Sequence, residues 1–302
     1  MEIANLRVRM RAAEESDLPH IAALMHNTHF NHIHVDWRLP RHWLGGDGFV
    51  VAETTSEHHL GDGVMLGCLA LGADPPPGAW VRMAAVRGER NAVPLLNAML
   101  RRAAAYIAAC GVDEIGWLPR GRWPQEWMEA LGFERVDEVV TYVKGELEVP
   151  ATIRHNAGII IRDVRAADMP TLAAIEHAAF EPLWRHSVES LTLGWRHALS
   201  FHVAELGGRL VGFQYSSDSD VENAGHLVRL TVSPDVQRSG VGSALLIAAL
   251  ESYRWHNLSE ASLNTQLSNA PSRRLYEKFG YRPAGYHWPV WSRRFTYEEA
   301  AI

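Results

Sequence analysis

The chain has 302 residues, 47% of them hydrophobic, and a formal net charge of −6 at pH 7. This length is about twice that of a typical domain, so two domains are expected. The negative charge gives no electrostatic reason to expect nucleic-acid or anionic-membrane binding, and the two cysteines, Cys68 and Cys110, are too few for a disulfide framework. No uncharged apolar stretch approaches about 18 residues, so we expect a cytoplasmic protein without a membrane span.

A group of histidines lies near the N-terminus. Its members are His26, His29, His32 and His34, with Asp36 close behind. The spacing of the first pair suits one face of a helix, as in some zinc sites. However, the full spacing matches no established zinc motif and no cysteine lies nearby, so we expect a solvated helix-to-loop segment and no metal.

The two halves of the chain carry similar segments at a near-constant offset of about 150 residues, which indicates two copies of one fold. Residues 11–19 are echoed by 165–170, 49–53 by 201–205, 81–83 by 228–230, and 131–133 by 279–281. Proline and glycine interrupt regular patterns between residues 145 and 158. We therefore predict domains over 1–148 and 149–302, each an α/β fold with a mostly antiparallel mixed sheet flanked by helices.

The second copy contains a strand, a loop and a helix in direct succession. Residues 226–234 contain several apolar and β-branched residues and stop at a proline, and the helical apolar spacing begins near residue 243. Between them, Gly240 and Gly242 let the backbone approach a ligand closely. The N–H groups of the first helical turn favour an anion, so this segment predicts a pyrophosphate-binding loop.

This loop fits neither of the common phosphate-binding motifs. No lysine follows Gly242, as a triphosphate-binding loop requires, and the third glycine of the dinucleotide fingerprint is absent. The remaining pattern, with Gln237, Gly240 and Gly242, resembles the acetyl-CoA loop of the GNAT acetyltransferase family. Residues 269–281 resemble the second family signature, N-x-x-[AS]-x-x-L-Y-x-x-x-G-[FY], and lie where the family has it.

The resemblance implies tandem GNAT-like domains, as in mycothiol synthase-like proteins, with acetyl-CoA as acyl donor in the second domain. The implied cofactor-binding residues are Leu230, Thr231, Val232, Gln237, Arg238, Ser239, Gly240, Val241, Gly242, Ser243, Asn269 and Ser272. Backbone N–H near Leu230 would meet the oxyanion, on a strand that the family splays open with a bulge. In isolation, Asn269 and Ser272 would each be interpreted as a helix N-cap.

Two side chains are candidates for proton transfer in the second copy. His226 begins the central strand at a position where several family members carry a glutamate base, and histidine's unperturbed pKa of ~6.5 suits that role. Tyr276 resembles the family's general acid for the departing coenzyme A thiolate. The alternatives are a solvent-exposed strand histidine and a helix tyrosine packed against the sheet.

Acceptor-binding residues are predicted only from the segments that form the acceptor side in the resembled family. They are Trp184, Tyr215, Glu222 and Trp288. Aromatic walls suit an apolar or aromatic amine, and a carboxylate suits a cation. For any one of the tryptophans, core packing is the alternative.

The first copy lacks the features of the second. Its loop, residues 86–94, has no paired glycines and places Glu89 where a phosphate would sit, and Met128 stands where the second copy has Tyr276. We therefore expect an N-acetyltransferase that acts on a small-molecule amine in a ternary complex, with catalysis in the second domain. The alternatives are a non-catalytic acyl-CoA sensor or assembly module, and an enzyme for a peptide or protein amine. The first copy is expected to pack against the second, and a homodimer stays open.

Overall fold

The computed structural model describes residues 2–3, 6–35, 38–46, 48–55, 63–119, 122–153, 156–219 and 223–295. The chain divides into two compact units. Unit 1 comprises Met1–Val136 and Pro289–Ile302, and unit 2 comprises Asp137–Trp288. Among the helices that the structure describes, none is both long and apolar enough to cross a membrane.

Unit 1 is built on a mostly antiparallel sheet with helices on its faces. Its elements in chain order are β1 (Glu2–Ile3), β2 (Leu6–Ala12), α1 (Leu18–Asn27), β3 (Asn31–Ile33), β4 (Phe49–Thr54), β5 (Met65–Ala73), β6 (Gly78–Val86), α2 (Ala92–Ala109), β7 (Glu114–Trp117) and α3 (Arg122–Gln125). The strand order is β1-β2-β4-β5-β6-β7, and only β6 and β7 are parallel among these described neighbours. The helical spacing of Leu96, Met99 and Leu100 buries one face of α2 in the unit's largest core cluster.

Unit 2 has the same plan. Its elements are β8 (Glu134–Lys144), β9 (Ile159–Asp163), α4 (Met169–Ala179), α5 (Val188–His197), β10 (Ser200–Leu206), β11 (Arg209–Asp218), β12 (Ala224–Val232), α6 (Val241–Trp255), β13 (Glu260–Gln266), α7 (Ala270–Lys278) and β14 (Arg282–Arg294). The order β8-β13-β12-β11-β10-β9 is antiparallel except for the parallel pair β12 and β13. Phe213 faces the core under α4 and α5, whereas a bulge in β11, where the register with β10 shifts, turns Val211 toward α6. The expected fold class is confirmed.

The compact units differ from the division predicted at residues 148 and 149. From Asp137 onward, β8 pairs with β13 and lies in unit 2, whereas β14 from Pro289 onward pairs with β7 and lies in unit 1. The compact units therefore follow strand pairing and not the order of the repeats along the chain. Long-range pairing of this kind leaves no local pattern in a sequence, so the repeat boundary itself stays a prediction.

Both units place a bulge at the same point of the central strand. In unit 1 the register between β5 and β6 shifts after the pair Ala70 and Met83, which leaves Arg82 as the extra residue. In unit 2 the register between β11 and β12 shifts after the pair Tyr215 and Arg229, which leaves Val228 as the extra residue. A bulge bends its strand and re-aims the neighbouring side chains.

An arginine clamp is also repeated: it joins β2, the turn before α1 and β4 in unit 1, and β9, the turn before α4 and β10 in unit 2. Its members are Arg11, Asp17 and Glu53 in unit 1, and Arg162, Asp168 and Glu205 in unit 2. Each arginine makes two bonds to its aspartate, of 2.6 and 2.8 Å in unit 1 and of 2.8 and 3.0 Å in unit 2. The equivalent of Arg11 is thus Arg162, and not Arg165 as the sequence repeat suggested.

Candidate active site

The central strand of unit 2 separates from its parallel neighbour halfway along its length. β12 and β13 pair only from Ala224 to Leu227, after which β13 stays beside β8. Within the described residues, the backbone of residues 228–232 therefore has a strand partner on one side only, namely β11. The open side presents N–H and C=O groups that an extended, amide-containing chain can pair with as an added strand.

The strand leads into a loop with the geometry of an anion site. Gly240 has φ +97° at the N-cap position of α6, a left-handed conformation that glycine adopts readily. Arg238, with φ +66°, is also left-handed. Among the described side chains, none caps α6, so the N–H groups of its first turn are available at the positive end of the helix dipole. Such a helix start binds a phosphate group well.

Gly242 brings this helix start close to the strand and to α7. A Cβ atom on Gly242 would lie 3.2 Å from Cδ2 of Leu275, 3.7 Å from Val232 and 3.8 Å from Leu230. The space for a side chain is therefore already taken by neighbours. A larger residue here would push the first turn of α6 away from the open edge of β12.

The residues predicted to bind the cofactor along the strand end, the loop and the helix start differ in exposure. Thr231 and Val241 are buried, Leu230, Val232, Ser239, Gly240, Gly242 and Ser243 are half-buried, and Gln237 and Arg238 are exposed. The Ser239 hydroxyl donates to the carbonyl of Val236 at 2.6 Å and tightens the turn. The amide of Gln237 donates to the carbonyl of Val232 at 3.5 Å, which is a weak bond.

His226 lies just before the point where the two strands separate. It pairs with Ser262 of β13, and its Nδ1 lies 2.9 Å from the hydroxyl oxygen of that serine. The next residue toward the strand start, Gly225, faces the ring of Tyr253 on α6. Because side chains alternate along a strand, the half-buried imidazole lies on the opposite face of the sheet, the one that α4 and α5 cover.

Tyr276 lies on the other face, in the core between α6, α7 and the sheet. Burial raises its pKa to about 12, against the smaller lowering effects of the positive charge of Arg229 and a hydrogen bond from Ser272. Its ring packs near those of Tyr142 and Tyr281, with centroids 6.4 and 6.0 Å away. The phenol is therefore protonated at neutral pH and can donate a proton.

The start of α7 is held by an N-cap. The side-chain oxygen of Asn269 accepts a hydrogen bond from the backbone N–H of Ser272 at 3.2 Å, and Pro271 lies in the first turn. The structure thus gives Asn269 the capping role that its sequence position offered as an alternative. A contact of Asn269 or Ser272 with a cofactor stays a prediction.

A buried ion pair beside the bulge was not predicted from the sequence. Glu176 of α4 is fully buried, and Arg229 of β12 reaches it with Nε to Oε1 at 3.0 Å and Nη2 to Oε2 at 2.5 Å. The hydroxyl of Thr231 donates to the same carboxylate, and Arg229 also donates to the carbonyl of Trp184. The guanidinium covers the ring of Phe180, 3.7 Å from the centroid. A signal was available in the sequence: a carboxylate at a core-facing position of a helix needs a buried partner.

The residues predicted to bind the acceptor lie in different surroundings. Trp184 is half-buried in the turn after α4, where its carbonyl faces Arg229. Tyr215 is only 1% exposed, stacks on Phe201 at 5.1 Å between centroids, and belongs to the core. Trp288 is half-buried and stacks on the exposed Tyr286.

The fourth residue predicted for the acceptor side and two neighbouring aromatic residues complete this description. Glu222 lies outside the described residues. The hydroxyl of Tyr215 lies 3.4 Å from Nδ1 of His186, which makes His186 the side chain that connects this core tyrosine to the half-buried turn before α5. Trp291 belongs to unit 1, where it pairs with Trp117.

The histidine group near the N-terminus does not form a helix-to-loop segment throughout. His26 is on α1, whereas His32 is on β3, is 4% exposed and lies with Nε2 3.2 Å from the carbonyl of Val81. His34 stacks on Trp80 at 5.0 Å between centroids. Among the described residues there is no group of three or more His, Cys, Asp and Glu side chains arranged to hold a metal, and Asp36 lies outside them.

Unit 1 uses the corresponding edge of its central strand differently. β6 and β7 pair from Gly78 to Trp80 and then separate, but β3 enters the gap and pairs with β6 at Met83, Ala84 and Ala85. Backbone hydrogen bonds extend this pairing beyond both ends of β3. The N–H of His34 donates to the carbonyl of Arg82 at 2.9 Å, and the N–H of Val86 donates to the carbonyl of Phe30 at 3.0 Å. The edge that is open in unit 2 is therefore occupied by the chain's own strand in unit 1.

Comparisons with known proteins agree on the family of this fold and loop. The acetyltransferase (GNAT) family model matches residues 169–281. An uncharacterized N-acetyltransferase of Methanocaldococcus jannaschii is 35% identical over 128 residues, which are 41% of this chain and 78% of that protein.

A mycothiol acetyltransferase of Acidimicrobium ferrooxidans is 27% identical over 215 residues, and the match covers 63% of this chain and 66% of that protein. Among solved structures, a tandem GNAT protein from the clavulanic acid biosynthesis pathway is similar with a TM-score of 0.58 at 16% identity. That similarity covers 96% of this chain and 98% of the other, and it shows the fold.

Proposed function

The chain belongs to the GNAT family of N-acetyltransferases, and we propose that unit 2 transfers the acetyl group of acetyl-CoA to a small-molecule amine. One observation carries the proposal: the open edge of β12 leads directly into the uncapped start of α6. An amide-containing arm and a pyrophosphate, the two parts of coenzyme A, match these two features in the same order.

The residues of this segment fit acetyl-CoA. The backbone of residues 230–232 would pair with the pantetheine arm, and the N–H groups of residues 238–243 would hold the pyrophosphate. Gly240 and Gly242 leave that backbone uncovered by side chains. When bound, acetyl-CoA supplies the acetyl group as an activated thioester.

His226 and Tyr276 suit the two proton transfers. An amine reacts only after it has lost a proton, and His226, on the face covered by α4 and α5, would accept that proton directly or through water. Tyr276, on the opposite face and protonated at neutral pH, would donate a proton to the departing thiolate. Backbone N–H near Leu230, just after the bulge, would stabilise the charge that develops on the acetyl oxygen.

A small acceptor is supported by the relatives named mycothiol acetyltransferases, because mycothiol is a small molecule. The half-buried Trp184 beside α4 suits an acceptor with apolar or aromatic parts. The composition, with two cysteines and no apolar stretch long enough for a span, supports a cytoplasmic location.

The test is a thiol-release assay on the full-length chain. Acetyl-CoA is supplied with each member of a panel of amino sugars, alkyl amines, aromatic amines and peptides with a free N-terminus, and with no acceptor as blank. The proposal expects release above the blank with at least one small amine, with the acetylated product identified by mass spectrometry. Release with peptides alone would favour a peptide or protein acceptor, and binding without release would favour a sensor or assembly module.

A further inference from the structure

We propose that Glu176 and Arg229 are positioning residues of the transfer reaction, which hold the acceptor-side turn at Trp184 against the bulged strand. This inference rests on the function proposed for unit 2. It concerns the placement of two segments, the turn at Trp184 and the bulged strand, which Arg229 joins.

The geometry of Arg229 connects three parts of unit 2. Its backbone belongs to β12 next to the bulge, its guanidinium binds the carboxylate of Glu176 on α4 through two nitrogens, and one of these also donates to the carbonyl of Trp184. The flat face of the guanidinium lies on the ring of Phe180. A planar, two-pronged group fixes distances and angles more tightly than a flexible ammonium would.

Unit 1 shows that the fold itself does not need this ion pair. Met83 occupies the register position of Arg229, directly after the bulge, and Met25 occupies on α1 the position of Glu176 on α4, at the same distance from the helix proline. Both methionines belong to one apolar cluster. Because buried ion pairs seldom stabilise a fold more than apolar side chains of similar size do, the pair in unit 2 calls for a reason other than stability.

The surroundings of Tyr276 agree with a role near the reacting groups. The rings of Tyr142 and Tyr281 pack near it, Ser272 of α7 hydrogen-bonds to it, and Arg229 of β12 and Tyr253 of α6 interact with it electrostatically. Of these, Arg229 is the cation. The same guanidinium thus borders the acceptor-side turn and acts electrostatically on the phenol proposed as the acid.

The test transfers the methionine pair of unit 1 into unit 2. The double variant E176M/R229M leaves the buried hydroxyl of Thr231 without its acceptor, so it should fold with a somewhat lower melting temperature than the wild type, and it should bind acetyl-CoA within about two-fold of wild-type affinity. Its kcat per bound acetyl-CoA should fall by about ten-fold or more, since small misplacements in a site cost rates of this order. Retention of wild-type kcat in the folded double variant would overturn the proposal.

A matched control breaks an ion pair at the start of the same helix. Arg162→Met removes the bonds to Asp168 and Glu205, so it should lower the melting temperature and leave kcat unchanged. If E176M/R229M does not fold, Arg229→Lys replaces it: the charge stays, the planar fork is lost, and kcat should fall with acetyl-CoA affinity unchanged. Equal kcat in Arg229→Lys and the wild type would contradict the proposal.

Hydrogen exchange separates a failure of this inference from a failure of the proposed function. If the wild type releases no thiol with any amine, the proposed function is wrong, but the claim that the ion pair holds the turn at Trp184 can still be tested. Peptides that cover residues 181–187 should exchange faster in the variant than in the wild type. Unchanged exchange there would show that the pair does not hold the turn.

Discussion

Units 1 and 2 keep the same bulged strand and the same arginine clamp, but they assign the edge of that strand to different partners. In unit 1, β3 pairs with β6 just where β12 of unit 2 has an open side within the described residues. The same backbone pattern can thus serve as a ligand site or be closed by the chain itself. This difference in strand pairing comes from the three residues of β3, whereas the order of the other strands is the same.

The side chains around the edge differ in the same direction. Unit 2 carries His226, Arg229 and Tyr276, where unit 1 carries Trp80, Met83 and Met128 at the corresponding positions. Each change from unit 2 to unit 1 replaces a group that can carry charge or transfer a proton with an apolar or aromatic group. Unit 1 therefore keeps the scaffold and lacks these polar groups, which predicts that substitutions in the two units have unequal effects on activity.

The largest effect is expected from the loop glycines. Gly240→Val places a β-branched residue at φ +97° and should abolish acetyl-CoA binding, whereas Gly88→Val in the corresponding loop of unit 1 meets open space and should not. Ligand at about 100 times Kd stabilises a protein by about 2.7 kcal/mol. Thermal melting should therefore show an upward shift of several degrees with acetyl-CoA in the wild type and in Gly88→Val, and none in Gly240→Val. A full shift in Gly240→Val would contradict the assignment of this loop.

His226→Ala should reduce kcat by on the order of 100-fold, because a positioned base contributes about that much, while acetyl-CoA affinity stays the same. The matched control is Ser262→Ala, which removes the hydroxyl next to Nδ1 and should cost less than the loss of the ring. Steady-state kinetics and calorimetry measure the two quantities separately. Equal losses of turnover and cofactor affinity would remove His226 as the base.

Tyr276→Phe should lower kcat by roughly ten-fold, less than His226→Ala, since a thiolate is a good leaving group that can depart without an acid. Tyr281→Phe is the control: its buried hydroxyl lacks a hydrogen-bond partner within the described residues, so its removal should leave kcat unchanged. If both variants kept full turnover, Tyr276 would be a packing residue like its neighbour.

The smallest effect concerns stability in acid. Burial lowers the pKa of His202 below the ordinary 6.5, against smaller raising effects of Asp163 and Glu251. The unfolded chain then takes up this proton at higher pH than the folded chain, so stability falls as the pH drops below about 6.5. Unit 1 has Val50 at this position of its strand. Between about pH 7.5 and pH 5.5, the melting temperature of His202→Val should therefore fall less than that of the wild type. An equal fall in melting temperature would exclude His202 as a source of acid sensitivity.

The segments of the proposed site could be located in the sequence because their signals are local. The glycine loop, the helix with Tyr276 and the strand with His226 each lie in one short segment, and the loop directly follows the strand. The repeat was also detectable, although its register is shifted by one residue at the bulge: the sequence aligns residues 81–83 with 228–230, whereas in the structure Met83 is the equivalent of Arg229. Because similar residues lie on either side of the bulge, the extra residue cannot be recognised from the sequence.

The missed features depend on contacts that are distant in sequence. β3 has only three residues, and its burial is the reverse of its hydrophobic pattern: His32 is buried and Ile33 is exposed, so its pairing with β6 could not be predicted. The pairing of β8 with unit 2 and of the end of β14 with unit 1 was missed for the same reason: the paired residues are distant in sequence. The burial of Tyr215 in the core was not evident either, because the buried face of β11 could not be assigned without the sheet order, and its contact with an acceptor stays a prediction.

The central claim is that unit 2 holds the acetyl-CoA site while unit 1 has closed its equivalent with β3. Calorimetric titration of the intact chain with acetyl-CoA tests it most directly. The account predicts close to one site per chain, lost when Gly240 and Gly242 are both replaced by larger residues. Two sites per chain would contradict the closure of unit 1, and no binding at all would contradict the assignment of acetyl-CoA to unit 2.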